Sequence, residues 1–143
     1  MPEIATTATV NARPEEVWAL LRDFNGLGAW HPAMPPSVIE EGHGPEAVGA
    51  VRRFEIADGS VVRERLTAFS DADRSYSYTL EETALPMSDY HAMLAVSPAA
   101  SGGATIKWSV SFNCPPEEER HLEDFVRNVV FGSGMVVLKA RFQ

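Results

Sequence analysis

Only one cysteine, Cys114, occurs among the 143 residues. That excludes an intramolecular disulfide framework and any metal cluster built on cysteine, and it suits a reducing compartment. No apolar run approaches the roughly 18 residues that a membrane-spanning helix requires, so membrane insertion is not expected. The opening stretch from Met1 to Val10 lacks the basic start and apolar core of a secretory signal, and a cytoplasmic protein is expected. Positive charge is also scarce. Twelve Lys and Arg stand against 20 Asp and Glu, for a formal net charge of −8. The basic residues are scattered, so neither nucleic acid nor an anionic membrane is an expected partner.

Several chemical signatures are missing as well. There is no H-E-x-x-H element, and His31, His43, His91 and His121 lie far apart in the sequence, so no metal site is expected. No G-x-S-x-G elbow supports a serine hydrolase. Gly132-Ser133-Gly134 superficially resembles part of one but falls within a helical pattern. No G-x-G-x-x-G follows a strand, so no nucleotide cofactor is expected.

What is present reads as one domain over residues 1–143, an α+β chain with 45% hydrophobic residues and length enough to bury a core. Ile4–Val10 alternates and is threonine-rich, as a strand would be. Pro14 suits the first position of a helix, with Glu15 and Glu16 at its positive end. Gly26, Gly28, Pro32, Pro35 and Pro36 then break up the helical segment. Period-2 patterns mark strands near Ser37–Glu41, Val48–Ile56, Val61–Ser70, Ser75–Glu82, Ser88–Ser97 and Ala104–Asn113, separated by Gly-, Asp- and Pro-bearing turns. After Pro115 and Pro116 the period becomes helical as far as about Arg141. Leu122, Phe125, Val126, Val129, Ser133 and Val136 make its apolar stripe. The result is an antiparallel meander that only the terminal helix is long enough to cover.

Alternation separates the faces of each strand. The inner row of the second strand in the central hairpin is Val62, Glu64, Leu66 and Ala68, and that of its neighbour is Ala50, Arg52, Phe54 and Ile56. Tyr76, Tyr78, Tyr90 and Trp108 add aromatic rings to the same face. Arg52 and Glu64 are the odd charged members of an apolar surface, and burial requires that they meet. Their pairing is either structural or serves to orient a ligand's polar group. His31, in Trp30-His31-Pro32, is a candidate acid or base near neutral pH, or else a cap beside a core tryptophan.

The opening strand followed by Pro14-Glu15-Glu16-Val17-Trp18, the Trp30-His31-Pro32 step, Gly49-x-Val51-Arg52 and Val62-x-Glu64-x-Leu66 together resemble the polyketide cyclase/dehydrase family of the START-like, birch-pollen-allergen-like superfamily. The resemblance covers essentially the whole chain. It implies a helix-grip fold: a seven-stranded curved antiparallel sheet, two short helices after the first strand, and a long C-terminal helix closing over an internal pocket. It also implies a hydrophobic ligand such as a lipid, polyketide or aromatic metabolite.

Three functions compete on this reading. The first is a binding or carrier domain whose pocket is lined by Trp30, Arg52, Phe54, Glu64, Leu66, Tyr76, Tyr78, Tyr90, Trp108, Phe125 and Val129. The second is a cyclase or dehydratase using Glu64 or His31 as acid/base, with Arg52 or a tyrosine stabilising an enolate oxygen. The third is a protein-interaction module, which would expose an apolar patch. Either a monomer or a homodimer is compatible with the sequence.

Overall fold

The alternating N-terminal segment forms β1 (Glu3–Val10), and Pro14 stands at the start of α1 (Pro14–Leu21). The computed structural model describes residues 2–143. After α1 the Gly- and Pro-bearing segment makes only a 3-10 turn at Phe24–Gly26 and a single-turn helix, α2 (Leu27–Trp30). Gly28 is obligatory there, because a Cβ would lie 2.2 Å from the Pro35 carbonyl oxygen. The meander follows as β2 (Ser37–Ile39), β3 (Val51–Glu55), β4 (Val61–Ser70), β5 (Ser75–Glu82), β6 (Ser88–Pro98) and β7 (Ala104–Asn113).

All seven strands pair antiparallel in the order β1-β7-β6-β5-β4-β3-β2. Every connection from β2 to β7 therefore joins sheet neighbours, while β1 closes onto the last strand. The fold is the helix-grip arrangement. The strand limits differ from expectation chiefly at β2 and β3. Glu40–Gly42 is a 3-10 turn with Glu41 at φ 58°, and Gly49 at φ 98° precedes β3, so both strands are shorter than their sequence patterns.

Parity describes the sheet well until a bulge intervenes. Ile106, Trp108, Val110 and Phe112 of β7 are buried, as are Tyr90, Ala92, Leu94 and Val96 of β6. In β4 the register against β5 shifts between Leu66 and Ala68. An extra residue at such a bulge reverses the faces beyond it. Ala68, expected on the inner row, is exposed; Phe69 turns inward instead and packs against Trp18 at a ring separation of 5.7 Å.

The C-terminal helix runs from Pro116 to Arg141, but its geometry changes along the way. An α-helical α3 (Glu119–Asp124) leads into a π-helical stretch (Phe125–Gly132), and α4 (Ser133–Arg141) resumes the α-helix. The apolar stripe expected from α-helical spacing is consequently displaced. Leu122 and Val126 are buried as expected; the next buried positions are Phe131, Gly134, Met135 and Leu138. Val136 is 67% exposed. The step of five from Val126 to Phe131 is the signature of the wider π turn. Two glycines accommodate this region. A Cβ at Gly132 would sit 2.9 Å from the Arg127 carbonyl oxygen, and one at Gly134 would sit 2.9 Å from His31 Cδ2 and 3.2 Å from Trp108 Cζ3. Gly134 therefore serves close packing of helix on sheet rather than leaving a void above it.

Candidate functional site

Between the sheet and the π-helical stretch lies a partly open cavity of about 320 Å³. Its floor is built by β4 to β7. Glu64, Tyr78, Tyr90 and Trp108 come from four successive strands, and all are buried. Phe125, Val126, Val129 and Val130 form the roof. Phe125 and Val129, the surface-accessible pair of these, are 36% and 41% exposed because they face the cavity and its mouth. Met34 after α2 and Leu85 and Met87 from the β5–β6 connection complete an apolar rim. A wider depression on the outer face of the sheet, about 630 Å³, is open to solvent and lined by residues such as Ser77, His91, Lys107 and Ser109. It encloses nothing, and the inner cavity is the candidate site.

The residues singled out from the sequence divide into two sets. Glu64, Tyr78, Tyr90, Trp108, Phe125 and Val129 line the cavity. Trp30, Arg52, Phe54, Leu66 and Tyr76 do not; all five are buried among other side chains behind or beside its wall. Trp30 lies against Trp108 at 6.1 Å between rings, and Tyr76 meets Phe24 edge-on at 5.5 Å. Arg52, Phe54, Leu66 and Tyr76 share the inner face of the sheet, but α1, the turn after it and α2, which carries Trp30, already cover that end. Leu80, in the same inner row as Tyr76 and Tyr78, also lines the cavity, whereas sequence reasoning did not single out Met34, Leu85 or Met87. These loop residues carry no periodicity from which an inward direction can be read.

Arg52 and Glu64 are directly opposite one another in the β3–β4 register, and they meet. Arg52 Nε donates to Glu64 Oε1 at 2.8 Å, and Nη1 donates to the Phe24 carbonyl oxygen at 2.7 Å. Nη2 is also 2.8 Å from Oε1, but off the hydrogen-bonding direction, so it has ionic contact without a directed bond. The guanidinium carbon lies 4.0 Å from the Phe24 ring centroid, 4.8 Å from Tyr78 and 5.5 Å from Phe54. This aromatic cage leaves Arg52 with no exposed surface. Burial alone would lower its pKa, yet the Glu64 charge and the neighbouring Tyr76 and Tyr78 outweigh that, and the net shift is upward. The guanidinium stays charged.

The tyrosines are held in their neutral form. Burial raises the Tyr78 and Tyr90 pKa values, and the nearby Glu64 charge adds to the rise for both. Tyr78 Oη accepts a hydrogen bond from Trp108 Nε1 at 3.0 Å, which fixes the hydroxyl on the cavity floor.

His31 is the C-cap residue of α2, beside the buried Trp30, and neither faces solvent nor has a free ring nitrogen. It is 3% exposed. Its Nε2 pairs with the Val130 carbonyl oxygen at 2.5 Å, and its Nδ1 accepts from the Ala33 amide at 3.1 Å. An acceptor facing Nε2 and a donor facing Nδ1 require the neutral tautomer protonated at Nε2. Both nitrogens are thus committed to holding the segment after α2 against the π-helical stretch. Burial lowers the His31 pKa, the bond to Val130 opposes this, and the Arg52 charge lowers it further. An unfolded histidine titrates near about 6.5, so the unfolded chain takes up a proton that the folded state resists. Stability should accordingly fall as pH drops below that value. Thermal unfolding of the wild type and His31→Gln between neutral and mildly acidic pH measures this, and the variant should show the shallower decline.

Comparison with known proteins follows this architecture. Residues 1–143 match the family described as polyketide cyclase / dehydrase and lipid transport. A Thermobifida fusca protein with a solution structure is 30% identical, over 99% of this chain and 93% of that one, with a TM-score of 0.91. The protein XoxI from Bacillus cereus is 26% identical over 99% of this chain and 96% of its own, with a TM-score of 0.87. Norcoclaurine synthase from Thalictrum flavum shares the fold at 16% identity and a TM-score of 0.76, over 99% of this chain and 93% of that one. With a family match that spans its full length, the chain belongs to the polyketide cyclase / dehydrase and lipid transport family.

Proposed function

We propose that this protein binds a small, largely apolar molecule in the cavity between the sheet and the C-terminal helix. The observation that carries the reading is the composition of the cavity wall. Aliphatic and aromatic side chains make most of it, and a few polar groups, Glu64, Tyr78 and Tyr90, converge on its buried floor. Pockets that hold small molecules combine an apolar lining with a few fixed polar groups in this way. Family membership supports the same reading, since lipid transport is part of the family's description. Trp108, Phe125, Val126, Val129 and Val130 would enclose the apolar body, and the floor would take its polar end.

Binding is testable with an uncharged probe, N-phenyl-1-naphthylamine, whose fluorescence rises in apolar surroundings. The wild type should bind it saturably. Val129 is partly exposed at the roof, so Val129→Trp fills the cavity without disturbing the packed core. That variant should bind at least about tenfold more weakly, a loss of about 1.4 kcal/mol. Equal binding by the two proteins would remove the cavity from consideration.

A further inference from the structure

The two oxygens of Glu64 have different surroundings. Both close guanidinium contacts, from Nε and Nη2 of Arg52, fall on Oε1. Oε2 accepts no side-chain hydrogen bond from the described residues, although Glu64 belongs to the cavity wall. On the same cavity wall, Tyr78 Oη accepts from Trp108, which leaves its own proton to donate. Tyr90 adds a second neutral hydroxyl to the same wall.

Formal charge on the wall is of one sign. Glu64 lies at the floor and Asp58 at the rim, and none of the described lining residues is Lys, Arg or His. The balancing cation, Arg52, is fully buried behind the wall, inside its cage of Phe24, Tyr78 and Phe54. A ligand cannot reach it without dismantling the core.

These facts discriminate among ligand head groups. A carboxylate entering the cavity would face Glu64 with no reachable cation, a like-charge contact in a poorly solvated space. An ammonium would meet a carboxylate whose charge Arg52 already matches, and would leave the site with an excess buried charge. A neutral hydroxyl fits both surroundings, since its proton can go to Oε2 and its oxygen can accept from a tyrosine hydroxyl.

We infer that the cavity selects neutral ligands bearing a hydroxyl, as an alcohol or a phenol, at the buried end, and discriminates against acids and amines of the same shape. The inference rests on the cavity being the binding site, as proposed above.

Three probes with one bicyclic body provide the test: 2-naphthol, 2-naphthoate and 2-naphthylmethylammonium, each titrated calorimetrically into the wild-type protein at neutral pH. The naphthol should bind about tenfold or more tightly than either ion, a ratio equal to about 1.4 kcal/mol. In Glu64→Gln the disadvantage of the naphthoate relative to the naphthol should shrink by a similar factor. The wild-type ranking decides the matter even where that variant does not fold. If an ion binds as tightly as the naphthol, or if N-phenyl-1-naphthylamine binds and the naphthol does not, head-group selection is wrong and the cavity survives as a binding site. If neither N-phenyl-1-naphthylamine nor any naphthalene binds, the cavity reading itself falls.

Discussion

Arg52→Ala should be among the most destabilising single substitutions in the domain, with an expected loss of about 3–5 kcal/mol. Truncation leaves Glu64 as an uncompensated charge with only 8% of its surface exposed. It also removes the hydrogen bond to the Phe24 carbonyl and the contacts with three aromatic rings. A cation–ring contact contributes about 0.5–1 kcal/mol when exposed and about 2 kcal/mol when desolvated. Urea denaturation monitored by tryptophan fluorescence measures the loss.

A double variant separates the charge from the packing. Arg52→Met/Glu64→Leu removes both charges together and keeps much of the side-chain volume, and buried ion pairs replaced by apolar residues often cost little. Most of the lost stability should therefore return. A double variant as unstable as Arg52→Ala would shift the weight to the cation–ring contacts. Glu64→Gln probes the opposite side of the pair: it keeps an acceptor near Arg52 but leaves the guanidinium without its counter-charge. The pair has a structural role in β3–β4 pairing whatever the cavity holds, because the two residues are register partners.

The meeting of Arg52 and Glu64 was legible in the sequence, though not their exact register, and so was most of the sheet. Alternation fixes faces, and Asp58-Gly59 and similar turns fix which strands neighbour one another, so Arg52 and Glu64 could be brought together without coordinates. Depth is a different matter. Phe54, Leu66 and Tyr76 lie on the same inner face as Tyr78, Tyr90 and Glu64, yet they are covered by core while the latter border the cavity. Period 2 records only the side to which a residue points. It carries no information about where a curved sheet is closed by α1 and α2 and where it stays open. Two insertions of backbone also defeat simple periodicity: the bulge after Leu66, which exchanges Ala68 for Phe69, and the π-helical stretch, which exchanges the expected helical stripe for one through Phe131.

The π-helical register gives the second large effect. Phe131→Ala should cost about 3–5 kcal/mol, the usual range for deleting a buried phenylalanine side chain. Phe131 has no exposed surface, and its ring stacks on Trp108 at a centroid distance of 4.7 Å. Val129→Ala, at a position that α-helical spacing would assign to the core, should cost under about 1 kcal/mol, because Val129 is 41% exposed and borders a cavity that already lacks packing atoms. A continuous α-helix running on from α3 predicts the reverse order. The step of five from Val126 places Phe131 on Trp108 and turns Val129 toward the cavity mouth. Denaturation midpoints of the two variants therefore report the helix register directly, and near-ultraviolet circular dichroism of Phe131→Ala should show the altered Trp108 environment. Comparable losses in the two variants, or a larger one at Val129, would return the helix to uniform α geometry. The roof of the cavity would then have to be redrawn around Val129 as a packed residue.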